Sequence, residues 1–163
     1  MTAEEKKALK GEGFLCNRDG ARFNGRVITG NGVITAEHLA AVAEAAQRYG
    51  NGQVALTSRM TLEIMGIPYE HIEPLKAELA QAGLETGGTG AKVRPVVACK
   101  GTVCVFGLID TQALGQELHE RFYKGWRQVK LPHKFKIAVG GCPNNCVKPD
   151  LNDIGIVGQR VPE

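Results

Sequence analysis

Apolar residues along the chain change their spacing several times, and each change predicts an element. Leu39, Val42, Ala43 and Ala46 recur at i, i+3, i+4 and i+7, the period of one helix face. Thr35 stands where an N-cap belongs, and Gly50 where such a helix stops. Before it, "RFNGRVIT" reads as a strand closed by the turn "GNG". After it, "QVALTSRMTLEIMGI" alternates and predicts one extended segment. Leu56, Ser58, Met60, Leu62 and Ile64 would share one face, and Thr57, Arg59, Thr61 and Glu63 the other. Residues 68–82 predict a second helix with Ile72, Leu75 and Leu79 inward and Pro74 confining its regular part to the later turns. "ETGGTGAK" is a loop and a subdomain boundary. "VRPVVAC", "HKFKIAV" and "DIGIVG" read as strands, and Leu114, Leu118 and Phe122 mark a third helix between the first two of these. Residues 1–12 read as a mobile tail. The class is α+β.

Composition narrows the function. A chain of 163 residues makes one domain or two small ones sharing a core. Its 21 glycines are well above the average of about 7% and point to tight turns and close backbone approaches, often to a ligand. The net charge of +3 suits a small anion. We find no basic stripe with interleaved aromatics, so no nucleic-acid partner is expected. The charged start "MTAEEKKALKGEG" lacks a signal-peptide core, and no run reaches transmembrane length. A cytoplasmic protein with no membrane partner follows. In such a compartment, five cysteines suggest metal or redox chemistry more than disulfides.

Four of those cysteines fall in two close pairs, "CKGTVC" (Cys99, Cys104) and "CPNNC" (Cys142, Cys146), each after a strand end. Two pairs from neighbouring strand ends can meet at one point, as a zinc or iron–sulfur site requires. Structural zinc and buried free thiols are the alternatives; zinc ribbons favour a tighter spacing than either pair shows. Cys16 lies apart and reads as a leftover thiol. In "HKFKIAVGGC", Phe135, Ile137 and Val139 belong to the core face. Lys134 and Lys136 share the other face about 7 Å apart, which runs on through Ala138 to Gly140 and would leave room for a flat ligand. Two neighbouring ammonium groups are tolerated on a solvated surface or opposite an anion. Arg59 and Arg94 would extend such an anion pocket.

At this point the residues resemble a known family. "GGCPNNC" followed by "DLNDIGIVG", with a paired-cysteine segment upstream, is similar to the sulfite and nitrite reductases that carry siroheme and a 4Fe–4S cluster. The segment from "GRVITGNG" to "MGIP" resembles that family's ferredoxin-like half-domain, where a T-x-R stretch carries an arginine at the haem. "TGGTGAKVRPVVAC" onward resembles its siroheme and cluster half. The resemblance covers residues 13–158 and is closest to small single-module members, including the third subunit of anaerobic sulfite reductase.

The resemblance implies a ferredoxin-like half-domain over residues 13–86 followed by a siroheme/iron–sulfur α/β half-domain over 87–163. It implies Cys99, Cys104, Cys142 and Cys146 as cluster ligands, with Cys146 also bridging to the siroheme iron. Arg59, Arg94, Lys134 and Lys136 match the cations around the bound oxyanion, and Arg59 contacts the haem. Gly88 and Gly90, in "TGGTG", would offer backbone N–H groups to siroheme carboxylates. The implied reaction is six-electron reduction of sulfite to sulfide or nitrite to ammonia. An electron-transfer module that binds only a cluster is the alternative. The implied partners are a donor such as ferredoxin or a partner subunit, and a second copy of the chain in a homodimer. Two positions depart from the family's pattern: the first cysteine pair is one residue shorter than usual, and Met60 stands where an amide is commoner. Small members often continue beyond this point into a segment with more cysteines, so ending at "GQRVPE" suggests a truncated or naturally short form.

Overall fold

The computed structural model describes residues 2–161 and divides the chain into two compact units. One comprises Met1–Thr29 and Val33–Gly90, the other Gly30–Gly32 and Ala91–Glu163. Among the described residues, no helix is long and apolar enough to cross a membrane.

The first unit is a four-stranded antiparallel sheet in the order β1-β2-β4-β3, formed by Phe14–Cys16, Arg22–Val27, Leu62–Pro68 and Val54–Leu56 respectively. Strands β2 and β3 run the same way with β4 between them, so β2, helix α2 (Ala36–Tyr49) and β3 form a split βαβ unit. Helix α3 (Ile72–Gln81) packs beside α2, and its Ile72, Leu75 and Leu79 are buried as their spacing predicts. Pro74 is accommodated in the first turn of α3, where a missing N–H leaves no helix bond unmade. Thr35 caps α2 by accepting the His38 N–H at 3.1 Å, and the Gly50 N–H closes it on Ala46.

Four features of this unit differ from the sequence reading. The buried face of α2 is Val42, Ala45 and Ala46, whereas Leu39 and Ala43 are exposed. Small alanines satisfy either face, so only Val42 fixes the stripe. The segment read as one strand is a hairpin: β3 ends at Leu56 and β4 begins at Leu62. Met60 sits at φ 55°, a left-handed residue that alternation cannot register. Strand β1, too short to show a period, lies against β2 with Phe14 opposite Gly25. Residues expected as a mobile tail carry helix α1 (Ala3–Gly11), started by a reciprocal capping box between Thr2 and Glu5.

The second unit is a parallel sheet in the order β5-β6-β7, formed by Val97–Ala98, Ile137–Gly140 and Ile154–Val157. An isolated bridge, Val93 to Phe135, extends the β5–β6 pairing toward its start. Between that bridge and the Val97–Ala138 pair the β5 side holds one extra residue, as expected around Pro95, which has no N–H to give. The crossover to β6 contains α4 (Thr111–Leu118), which widens into a π-helical turn over His119–Lys124. Leu114, Leu118 and Phe122 all pack on this unit's core of Val93, Val96, Ala98, Ile137 and Val139. Asp110 caps α4 through the Ala113 N–H, and the hydroxyl of Thr102 beside it holds the Asp110 carboxyl below the usual range.

Gly25 shows how tightly the first core is closed. A Cβ there would lie 2.8 Å from Ile67 Cδ1 and 2.9 Å from Phe14 Cε1, both fully buried. Gly25→Ala is expected to destabilise the protein by about 1–3 kcal/mol, measured by urea unfolding. Gly11→Ala, where the added methyl meets nothing within 4 Å at the end of α1, serves as the control and should leave the midpoint in place or raise it slightly.

Candidate functional site

The second unit gathers most of the candidate residues through its parallel pairing. Phe135 N–H donates to Lys92 O at 3.1 Å, and Arg94 N–H donates to Phe135 O at 2.8 Å. This places Lys92 in register with Lys134 and Arg94 with Lys136. By the two-residue alternation of extended chain, all four share the face opposite Val93 and Phe135. Lys134 is exposed and the other three are half-buried. Lys92 is a cation the sequence reading missed. Its signal was present, since "KVR" repeats the alternation of "KFK". Lys136 is also tied to the β6–β7 connection: its ammonium donates to the Leu151 carbonyl at 3.3 Å, and its N–H to Asp153 Oδ2 at 2.7 Å.

The same two strands deliver cysteines at their other ends. Cys99 follows β5, and its N–H continues the ladder to Val139 O at 3.0 Å. Cys142 follows β6, and the Gly141 N–H before it donates to Cys99 Sγ at 3.1 Å. The loops are held this close because neither has a side chain in the way: a Cβ on Gly101 would lie 2.9 Å from Gly141 Cα and 2.7 Å from Thr111 Cγ2. Fully buried Thr111 donates its hydroxyl to Cys99 O at 2.6 Å, and Gln112 Nε2 reaches the same carbonyl at 3.1 Å. Cys104 ends the 3₁₀ turn Gly101–Val103. Cys146 lies after Asn145, a left-handed residue at φ 58° that turns the chain.

All five cysteines are free thiols; Cys146 is exposed and the rest are half-buried. Cys16 packs at the edge of the first unit's core, apart from the two pairs in sequence. Among the described residues, no three His, Cys, Asp or Glu side chains are drawn together to hold a metal ion. The expected convergence of four sulfurs is therefore only begun, at Cys99 and the Gly141–Cys142 backbone. Thiols do not attract one another, and closure of such a site is coupled to what it binds. The donor set nevertheless fits a cluster: four free thiols, one already accepting a backbone N–H. Beside Cys104, Val105 is 92% and Phe106 61% exposed. Exposed apolar side chains beside a thiol are the kind of surface that an apolar macrocycle would cover.

One expectation fails. Gly140 does not leave an open face for a flat ligand. It is buried, and a Cβ on it would lie 2.8 Å from Pro149 Cγ, because the β6–β7 connection folds over it.

The remaining candidates lie in the first unit. Arg59 sits in the hairpin turn, its N–H donating to Thr57 Oγ1 at 3.3 Å, rather than on a strand face. Thr57 and Thr61 hydroxyls bond at 2.7 Å, and Thr29 donates to Met60 O, which together fix the turn. The left-handed backbone at Met60 gives a physical reason for an amide in the family at this point, since Asn enters that region most easily. Gly88 is buried and Gly90 half-buried, both at positive φ, in a segment stitched to β2. There, Gly87 N–H donates to Arg26 O, and Arg26 Nη1 donates to Gly88 O at 3.2 Å while its guanidinium pairs with Glu63.

Comparison with known proteins bears on both units. Residues 17–82 match the family model described as the nitrite/sulfite reductase ferredoxin-like half domain, and residues 89–163 match the nitrite and sulphite reductase 4Fe-4S domain. The coenzyme F420-dependent sulfite reductase of Methanocaldococcus jannaschii is 37% identical over 128 residues, covering 78% of this chain and 20% of that protein. One of the subunits of the anaerobic sulfite reductase of Salmonella typhimurium is 32% identical over 142 residues, covering 78% of this chain and 40% of that protein. The crystal structure of dissimilatory sulfite reductase I superposes with a TM-score of 0.68 at 26% identity, over 77% of this chain and 30% of that one. The chain thus spans less than half the length of each of these proteins. Two successive domains of one family, carried on a mixed helix and sheet fold like that of its solved members, make this chain a member of the nitrite and sulfite reductase family.

Proposed function

We propose that the chain reduces sulfite to sulfide or nitrite to ammonia, a six-electron reaction, with siroheme and a 4Fe–4S cluster as its cofactors. One observation carries this reading. Strands β5 and β6 each bear two alternating cations before the ladder and a cysteine after it, held side by side in register. Cysteines alone would fit a module that only passes electrons. The cationic face is what a substrate oxyanion requires, and it favours a reductase.

Cys99, Cys104, Cys142 and Cys146 would hold the cluster, and Cys146 would also join it to the siroheme iron. The cofactors, when bound, supply single electrons to the substrate's central atom. The chain's own residues do the rest. Lys92, Arg94, Lys134 and Lys136 bind the anion and stay fixed as charge builds on its oxygens. Preorganised cations of this kind lower the barrier because they need no rearrangement as the reaction proceeds. An ammonium such as Lys136 Nζ also donates a proton as an oxygen leaves as water. Arg59 is proposed to bind the oxyanion and the haem in its own right, and Gly88 and Gly90 to meet the siroheme carboxylates. A homodimer in the cytoplasm, fed by a separate electron donor, completes the proposal.

Three measurements test it. Cys146→Ser should lose the signature of a cluster coupled to haem in the visible and electron paramagnetic resonance spectra of anaerobically purified protein, because a serine hydroxyl replaces neither ligand nor bridge. An unchanged spectrum and full activity would sink the cluster assignment. Lys134→Ala and Lys136→Ala should retain both chromophores yet slow oxyanion reduction by about a hundredfold each. Thr111→Val removes a hydroxyl from a buried carbonyl and should cost about 1–3 kcal/mol of apoprotein stability. It should also lower iron and labile sulfide per chain after reconstitution, while Thr111→Ser restores both.

A further inference from the structure

The chain's positive charge is concentrated in one stretch. Residues 121–136 hold Arg121, Lys124, Arg127, Lys130, Lys134 and Lys136 and no acidic residue. The rest of the chain has 14 basic residues against 17 acidic, a net charge of −3. Lys134 and Lys136 belong to the oxyanion face. All four earlier cations are exposed: Arg121 and Lys124 lie in the π-helical segment, where Lys124 pairs with Glu120 at 2.8 Å, and Arg127 and Lys130 lie in the turn and irregular chain that follow it. Arg127 N–H bonds Lys124 O at 3.1 Å, and Val129 N–H bonds Trp126 O at 2.9 Å.

Trp126 stands among these cations. It is 45% exposed, and its ring meets Phe122 edge-on at 5.3 Å, so it is held against the unit rather than free to swing. Val129 beside it is also exposed. A rigid exposed tryptophan within a stretch of arginines and lysines has the composition of an interface anchor. The surrounding cations identify the occupant by charge complementarity as an acidic surface. Nucleic acid is the poorer fit. Tyr123 is buried and Phe122 and Phe135 pack on the core, so Trp126 is the one exposed Phe, Tyr or Trp of this stretch, where a nucleic-acid groove needs several.

We propose that Trp126, with Arg121, Lys124, Arg127, Lys130 and Val129, forms the docking surface for an acidic electron-carrier protein. The redox character of that partner rests on the reductase reading above; the surface itself does not. Docking of this kind is steered by long-range charge and weakens as salt rises.

The test titrates the purified full chain with an acidic bacterial ferredoxin by calorimetry, at low and at physiological salt. Affinity should fall steeply with salt. Arg121→Glu combined with Lys130→Glu, and separately Trp126→Ala, should each weaken binding about tenfold or more, equivalent to about 1.4 kcal/mol. Reduction of sulfite or nitrite by a small viologen dye, which needs no docking surface, should be unchanged in both variants. Equal affinity of wild type and both variants for ferredoxin would overturn the proposal. Tighter binding of a duplex DNA oligonucleotide than of ferredoxin would overturn it as well. If wild type fails to reduce either oxyanion but binds ferredoxin through this surface, the docking proposal stands and the reductase reading falls.

Discussion

The approach of Gly101 to Gly141 is the constraint on which the cysteine-bearing end of the second unit depends. Two loops that carry thiols meet backbone to backbone, at a spacing no side chain would permit. Everything else at that end maintains the contact. Thr111 and Gln112 hold the carbonyl of Cys99 from the first turn of α4, Asp110 holds that turn, and Gly141 returns its N–H to the sulfur. Leu108 N–H then closes on Gly141 O at 2.9 Å. A polar network so enclosed specifies one arrangement, since any partly satisfied alternative leaves buried groups without partners.

Parallel pairing explains why charge and sulfur are arranged as they are. In an antiparallel pair, the cations of one strand would face the cysteine of the next. With β5 and β6 parallel, the two cationic starts lie together and so do the two thiol ends. Like charges placed side by side repel, and an anion relieves that repulsion. The cost of assembling Lys92, Arg94, Lys134 and Lys136 is thus lowered by any anion that binds among them.

Much of this was legible in the sequence wherever a local rule coincided with a tertiary one. Thr35 and Gly50 bounded α2 because caps are satisfied within a few residues. Ile72, Leu75 and Leu79 faced inward because their period matched the helix. The paired cysteines and "KFK" stood out by residue type and spacing. What escaped depended on partners far along the chain. No local signal separates a strand from a hairpin at Thr57–Thr61 when polar and apolar residues happen to alternate through the turn. Lys92 carried a signal in "KVR", but only its register with Lys134 sets it beside the other cations. The closing of Pro149 over Gly140 is a contact between a turn and a strand end that no periodicity describes. The capping box of Thr2 and Glu5 was readable, but a charged leading segment suggested a tail more strongly than a short helix.

The second unit is not continuous in sequence. Gly30–Gly32 belongs to it although it lies between β2 and α2 of the first. Asn31, buried with φ 55°, offers its carbonyl to the Ala98 N–H on the outer edge of β5, and its amide to Gln116 Oε1 on α4. That edge is therefore covered by a piece of chain made some sixty residues earlier. Proteolytic dissection at the glycine loop would not release the second unit whole: a fragment beginning near Ala91 keeps its strands and cysteines but bares the edge of β5. During synthesis the order is reversed, and this short segment emerges first, before the strand whose edge it will cover.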